Sequence, residues 1–292
     1  MEKIFETPGA VGLYVQNEVG LVAVTAARTD ETVVWLEAQT PGGEELVERA
    51  IVECRPAGRR HMVVVKVPKQ GMGSRFIRRN PVTVRVALPE DSDVTVVSGS
   101  ADIEVTGPVG AADFTTSSGD VTADDVAANL SARSASGDIT VGAVDGDLKV
   151  QTASGDLRCS SVAGRAVFTT ASGDIEVGAA DGQVEVKATS GDVRLGELAH
   201  GARVTNVSGD VRVLAIDAGA LHVRSVSGSV LVGVASGVDL HVDVETMSGE
   251  VRSDIPLDDT PRSARRKDAS VKLSVRSVSG NVEIERALEQ VA

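Results

Sequence analysis

A hydroxyl and a carboxylate flank a glycine again and again along this chain, at Ser118-Gly119-Asp120, Ser136-Gly137-Asp138, Ser154-Gly155-Asp156, Ser172-Gly173-Asp174, Ser190-Gly191-Asp192 and Ser208-Gly209-Asp210, each 18 residues after the last. Serine beside aspartate invites a nucleophile, and a row of aspartates invites a metal. Neither chemistry is assembled. A serine nucleophile needs a histidine and an acid oriented on it, and His61, His200, His222 and His241 are scattered with no such relation to the repeat. Glycan-cleaving β-helical enzymes cluster their acids and bases, because a site needs perturbed groups in one place. Here the acids come one per repeat. Calcium-binding β-rolls also use two nonapeptides per coil, but their GGxGxD turn is absent, and the opposite turn carries an acid beside its glycine in few repeats (Asp145, Asp181). The expectation is therefore no catalytic, cofactor-binding or metal-ligating residue, no cofactor, and no enzyme.

The elements that hold these turns are legible from the residues between them. After each turn comes an alternation such as Ile139-Thr140-Val141 or Ile175-Glu176-Val177, and about nine residues later a second one, Leu148-Lys149-Val150 or Val184-Glu185-Val186. A two-residue period marks a half-buried strand. Each repeat is thus two short strands joined by two glycine turns, and stacked repeats give an all-β, two-sided parallel β-solenoid of about 18 residues per coil, right-handed by the general rule for crossovers. Glycine suits the turns because positive φ costs a side chain with a Cβ. One coil cannot bury its own apolar face, so stability comes from its neighbours.

Two columns of side chains follow from that register. Aspartates stacked about 4.8 Å apart repel by about 0.9 kcal/mol per pair in water, which turn hydrogen bonds and solvation must offset. Two residues before each turn serine lie Thr116, Ser134, Thr152, Thr170, Ala188, Asn206, Ser225, Thr246 and Ser277. Their parity is inward, so they form a ladder of mostly small polar groups at the inner edge of the turn.

The repeat weakens toward both ends. It persists as Ser227-Gly228-Ser229, Ser248-Gly249-Glu250 and Ser279-Gly280-Asn281, with an upstream relative at Ser98-Gly99-Ser100. Residues 1–97 read as an N-terminal β-rich capping region, with strands over Gly12–Val15, Leu21–Thr25, Thr32–Ala38, Met62–Val67 and Val82–Leu88 and a short helix passing into a strand over Glu44–Cys54. Its basic loop, Arg75, Phe76, Arg78 and Arg79, is the most binding-like surface there. Residues 98–284 are the solenoid repeats, with a surface insertion at 254–270 that stretches one coil to 31 residues, from Ser248 to Ser279. Residues 285–292 would be a C-terminal cap, helical and covering the last coil.

The net charge is −13 over 292 residues. Residues 1–97 hold 13 acidic and 12 basic groups, so almost all of the imbalance lies in the repeats. An acidic array repels phosphate backbones, which argues against nucleic acid and anionic lipid as partners. The six aromatics, Phe5, Tyr14, Trp35, Phe76, Phe114 and Phe168, leave a narrow core of Val, Ala, Leu and Ile. Cys54 and Cys159 sit at strand positions among apolar residues and read as buried thiols. The opening residues lack the pattern of an export signal, and no apolar run is long enough to span a membrane, so a cytoplasmic location is expected.

The SGDΦxΦ strands, the opening FETP (Phe5 to Pro8) and Arg28-Thr29-Asp30 before Val33-Val34 resemble the β-strand repeat family called domain of unknown function 4097, of the actinobacterial type. That resemblance covers nearly the whole chain and implies the solenoid fold. The family carries the label "putative adhesin" without an established activity or catalytic set, so no functional residue transfers. The expected function is a non-enzymatic structural or protein-interaction scaffold with protein partners and end-to-end self-association. The competing readings are an exported adhesin-like protein, a calcium-binding β-roll and a polysaccharide-acting β-helix enzyme.

Overall fold

The computed structural model describes residues 1–58, 60–69, 80–255 and 270–287. They divide into two compact units, residues 1–146 and 147–292.

Unit one begins with β1 (Glu2–Glu6), β2 (Gly12–Ala27), β3 (Glu31–Ala38), α1 (Pro41–Glu48), β4 (Ile51–Ala57), β5 (Arg60–Lys66), β6 (Val82–Pro89) and β7 (Asp93–Thr106). It then enters the repeats with β8 (Ala112–Thr115), β9 (Val121–Ala123), β10 (Leu130–Arg133) and β11 (Ile139–Val144). Strand β2 organises this unit. One flank pairs in parallel with β7 along nearly its whole length, and the other with β5 beside its first half and β6 beside its second. Where the two halves meet, the buried Asn17 amide donates to the Val82 carbonyl at 2.8 Å. Gly20 is required there, since its φ is +122° and a Cβ would lie 2.2 Å from the same carbonyl oxygen. Outside this frame the pairing turns antiparallel: β4 on β5, β3 on β6, β1 on β3. Helix α1 and β4 occupy the region expected to be helix then strand.

The boundary expected at 97/98 falls inside β7, whose residues on both sides pair with β2. Ser98-Gly99-Ser100 is accordingly a passage within a strand, where the Ser98 hydroxyl bonds both the N–H and the carbonyl of Ala101. Beyond it β8 and β10 stack on β7 in one column, and β9 and β11 in another, all parallel.

Unit two is built from coils of two strands. One column holds β12 (Leu148–Gln151), β14 (Ala166–Ser172), β16 (Val184–Ser190), β18 (Gly201–Ser208) and β20 (Gly219–Ser227). The other holds β13 (Leu157–Val162), β15 (Ile175–Ala180), β17 (Val193–Leu198), β19 (Val211–Ile216) and β21 (Val230–Val234). Every neighbouring pair within a column is parallel, and the register is unbroken except between Val213 and Ile216, where β19 shifts against β21. Inward residues such as Leu157, Phe168, Val186, Val204 and Leu221 are buried between the columns. Alternation with a period of two is therefore what closes each coil on its core.

The final coils break sequence order. The next pair is β22 (Asp239–Ser248) and β23 (Val251–Ser253), followed by β24 (Ser270–Ser279) and β25 (Val282–Arg286). Yet β20 pairs with β24, and β24 with β22; likewise β21 pairs with β25, and β25 with β23. The last coil in sequence is slotted beneath the one before it. Among the described residues, β22 and β23 are the outer edge. Ile284 to Arg286 belong to strand β25 rather than to a helix, and Ala287 still bonds the Val234 carbonyl. Residues 288–292 lie outside the described residues, as do 256–269 of the insertion and the basic loop Arg75, Phe76, Arg78 and Arg79.

Candidate functional site

The aspartate column is structural in both units. In unit one the Asp102 carboxylate accepts the Asp120 N–H and Asp120 accepts that of Asp138, at 3.1 and 3.0 Å. In unit two Asp156, Asp174, Asp192 and Asp210 accept the N–H of Asp174, Asp192, Asp210 and Ser229 at 2.8–2.9 Å. Asn281 does the same for Glu250 at 3.0 Å, as its slotted position requires. Each carboxylate thus caps the turn of the next coil, and a charge-assisted bond outweighs the mild repulsion between neighbours. Asp102 was missed because its turn reads Gly-Ser-Ala-Asp. Among the described residues no three His, Cys, Asp or Glu groups gather as metal ligands.

The turn glycines explain themselves by geometry. Gly191 has φ +130°, and a Cβ would meet the Gly173 carbonyl oxygen at 2.2 Å. Only a residue without a side chain lets successive turns stack so closely.

The inner ladder mixes bonded positions with unbonded ones, Ser134 of unit one being buried without a hydrogen-bond partner among the described residues. Thr116 accepts the Gly119 N–H, and the Thr152 and Thr170 hydroxyls donate to the Ser154 and Ser172 carbonyls. At the slotted end, Ser225, Ser277 and Thr246 stand in register on β20, β24 and β22. Their hydroxyls have no hydrogen-bond partner among the described residues.

Neither cysteine forms a disulfide. Cys159 is buried and Cys54 half-buried. Burial pushes the Cys159 thiol up to about 11 and raises that of Cys54, so both are poor nucleophiles at neutral pH.

Two surfaces of unit two stand out from this uniformity. The first is the outer edge itself. In the interior coils the inward residues are buried, whereas on β22 Leu240, Val242 and Val244 are only half-buried, and Val251 of β23 is 47% exposed. One flank of each strand has no described partner. The second surface is the outward face of β18, β20 and β24. These strands carry Arg203, Arg224, Lys272 and Arg276 and not one acid, in a chain of net charge −13. Registers place His222 between Arg203 and Ser274, and Arg224 beside Arg276. The only ion pair from these four cations among the described residues is Arg276 to Glu245 at 3.7 Å. Whole-chain charge conceals this face, and the sequence conceals it further by placing β24 a long insertion away from β20.

The chain belongs to the Toastrack DUF4097 family, whose model matches residues 56–197 and 128–285. No curated protein matches it. Among solved structures it is similar to a putative adhesin from Bacteroides fragilis, at 11% identity over 97% of this chain and 96% of that one, with a TM-score of 0.41. It is similar to a putative adhesin from Parabacteroides distasonis, at 15% identity over 97% and 96%, TM-score 0.33. A putative cell adhesion protein from Clostridium sporogenes matches at 10% identity over 98% and 99%, TM-score 0.28.

Proposed function

We propose that this protein is a non-enzymatic, cytoplasmic scaffold that joins end to end with a second copy of itself through the coil of β22 and β23. The observation that carries the reading is the bare flank of that coil, where apolar inward residues lie half-covered beside strand edges without a described partner. A parallel edge of this kind is a template for another strand. The edge is also self-complementary. In an antiparallel pair centred on Val242, Leu240 of one copy meets Val244 of the other, and His241 meets Asp243. Like charges meet only where Asp239 of each copy faces Glu245 of the other, once at either rim, where Arg276 already attends Glu245 at 3.7 Å. The absence of enzymatic chemistry is supported by the use of each turn carboxylate as a cap for its neighbour. Two cysteines without a disulfide fit a reducing compartment, which fractionation of the native cell tests directly.

Sedimentation velocity over a wide range of protein concentration tests the contact. A reversible dimer is expected, abolished by Val242→Lys, which points a charge into the joint, and weakened by the outward Asp243→Lys. A monomer at every concentration, or a dimer indifferent to both changes, overturns the proposal.

A further inference from the structure

The basic face of β18, β20 and β24 has the makings of a ligand site that the scaffold itself does not need. Three guanidinium groups, Arg203, Arg224 and Arg276, together with His222 and Ser274, surround a concavity of about 230 Å³. It shares Arg203 and His222 with a second hollow of about 240 Å³ toward Arg165 and His200. Small residues make the hollow: Gly201 and Ala220 stand in register between longer side chains. Strand β16 puts Glu185 directly beside Arg203, on the wall of the second hollow, but that carboxylate is held by Arg165 and Lys187, each at 2.7 Å. Arg203 and Arg224 hold no ion pair among the described residues, and Arg276 is only loosely attended. Arg224 and Arg276 stand opposite each other on neighbouring strands, about 4.8 Å apart at the backbone, where like charges repel unless an anion visits them.

The anion's chemistry is narrowed by what lies beside the charges. On the same outward face stand Val226 and Val278, two residues beyond Arg224 and Arg276, and Val207, four beyond Arg203, exposed by 47%, 46% and 44%. They form a row in register across β18, β20 and β24. Arg224 with Val226, and Arg276 with Val278, thus repeat one pattern: a cation, then an exposed valine one strand-period on. An extended peptide has that same period of two between side chains on one face. An acid followed two residues later by an apolar residue would meet both. A bare phosphate would leave the valine row uncovered, and a polynucleotide offers charge at another spacing.

We propose that this face binds an extended acidic peptide segment of a partner protein, its carboxylates on Arg203, Arg224 and Arg276 and its apolar side chains on the valine row. The site lies on the outward face rather than on the strand edge, and shares with the end-to-end contact only Arg276, which attends Glu245 at its rim.

The test uses the full chain and a fluorescent peptide of repeated Glu-Ser-Val-Ser, with anisotropy as the readout. Saturable binding that weakens as salt rises is expected. Changing all three arginines to glutamine should weaken it about tenfold or more, and Val226→Ser with Val278→Ser a few-fold. The same number of Arg→Gln changes at Arg158, Arg194 and Arg212, on the other column, should leave it intact. Equal affinity in the Val242→Lys variant is expected, and separates this site from the dimer contact. The proposal is overturned if the peptide does not bind, if the arginine variant binds as well as the parent, if Val242→Lys abolishes binding, or if a peptide with serine in place of valine, an oligothymidylate or an anionic vesicle binds equally or better.

Discussion

The interior coils of unit two and its outer coil are made of the same repeat, yet they use it differently. In the interior, Val204 on β18 is fully buried by coils on both sides. On the outer coil Val242 has a neighbour on one side only, and stays half-buried. Identical local sequence logic thus yields a core residue in one place and a contact residue in another. What differs is the number of neighbours, the quantity that governs stability in a repeat array.

That comparison is broken most severely through its glycines. Gly191→Val should destabilise by about 3 kcal/mol or more, from a left-handed backbone and a collision with the turn below. Gly237→Ala, at φ +82° with nothing within 4 Å of a new Cβ, should cost about 1 kcal/mol. Urea unfolding of the two variants checks the gap; equal losses would mean that stacking does not dictate the turn. Next comes the core: Val204→Ala should cost about 2 kcal/mol, and Val242→Ala under about 0.5 kcal/mol for the monomer. A large loss at Val242 would show that the outer coil is covered.

Smaller effects separate the capping bonds. Asp192→Ala strips the part-buried Asp210 N–H of its acceptor and should cost about 1 kcal/mol. Asn281→Ala, whose bond to Glu250 is exposed, should cost only a few tenths of that unit by the same melts. On the inner ladder, Thr170→Val should lose about 1 kcal/mol, while Ser277→Ala, with no hydrogen bond to lose, should be neutral or stabilising. The least effect concerns pH. The Lys187 ammonium first, then the Arg165 guanidinium, hold the Glu185 carboxyl below its ordinary 4.5. Its contribution is therefore complete above that value and lost as pH falls through the lowered one. Glu185→Gln should slightly flatten the acid side of the melting-temperature profile, and an unchanged profile would show that the pair contributes nothing.

Most of the fold was legible because one signal, strand alternation punctuated by glycine, is written out in every coil. The 18-residue register correctly aligned Val141 beneath its column and put Thr152 and Thr170 at the inner turn. The slot taken by β24 and β25 was not legible, since nothing in Ser270–Arg286 says that its neighbour is the coil before the previous one. The candidate basic face was lost for the same reason. Arg276 and Arg224 are remote in sequence and become adjacent only when that slot is filled, and the charge balance of the whole chain averaged them away. The bonds of the aspartate column were half visible: turn hydrogen bonding could be expected, but its direction, each carboxylate reaching the next coil's N–H, depends on how successive turns stack.

The slotted coil also has a history. As the chain leaves the ribosome, residues 239–253 emerge before 270–286, while the flank of β20 and β21 is still bare. Both segments have the alternation to dock there, yet only the later one belongs. The earlier segment must wait, or dock and then be displaced, so this end of the molecule completes itself by competition between two near-copies of one coil. Synthesis stopped short of residue 270 would leave the flank of β20 and β21 without the coil that belongs on it.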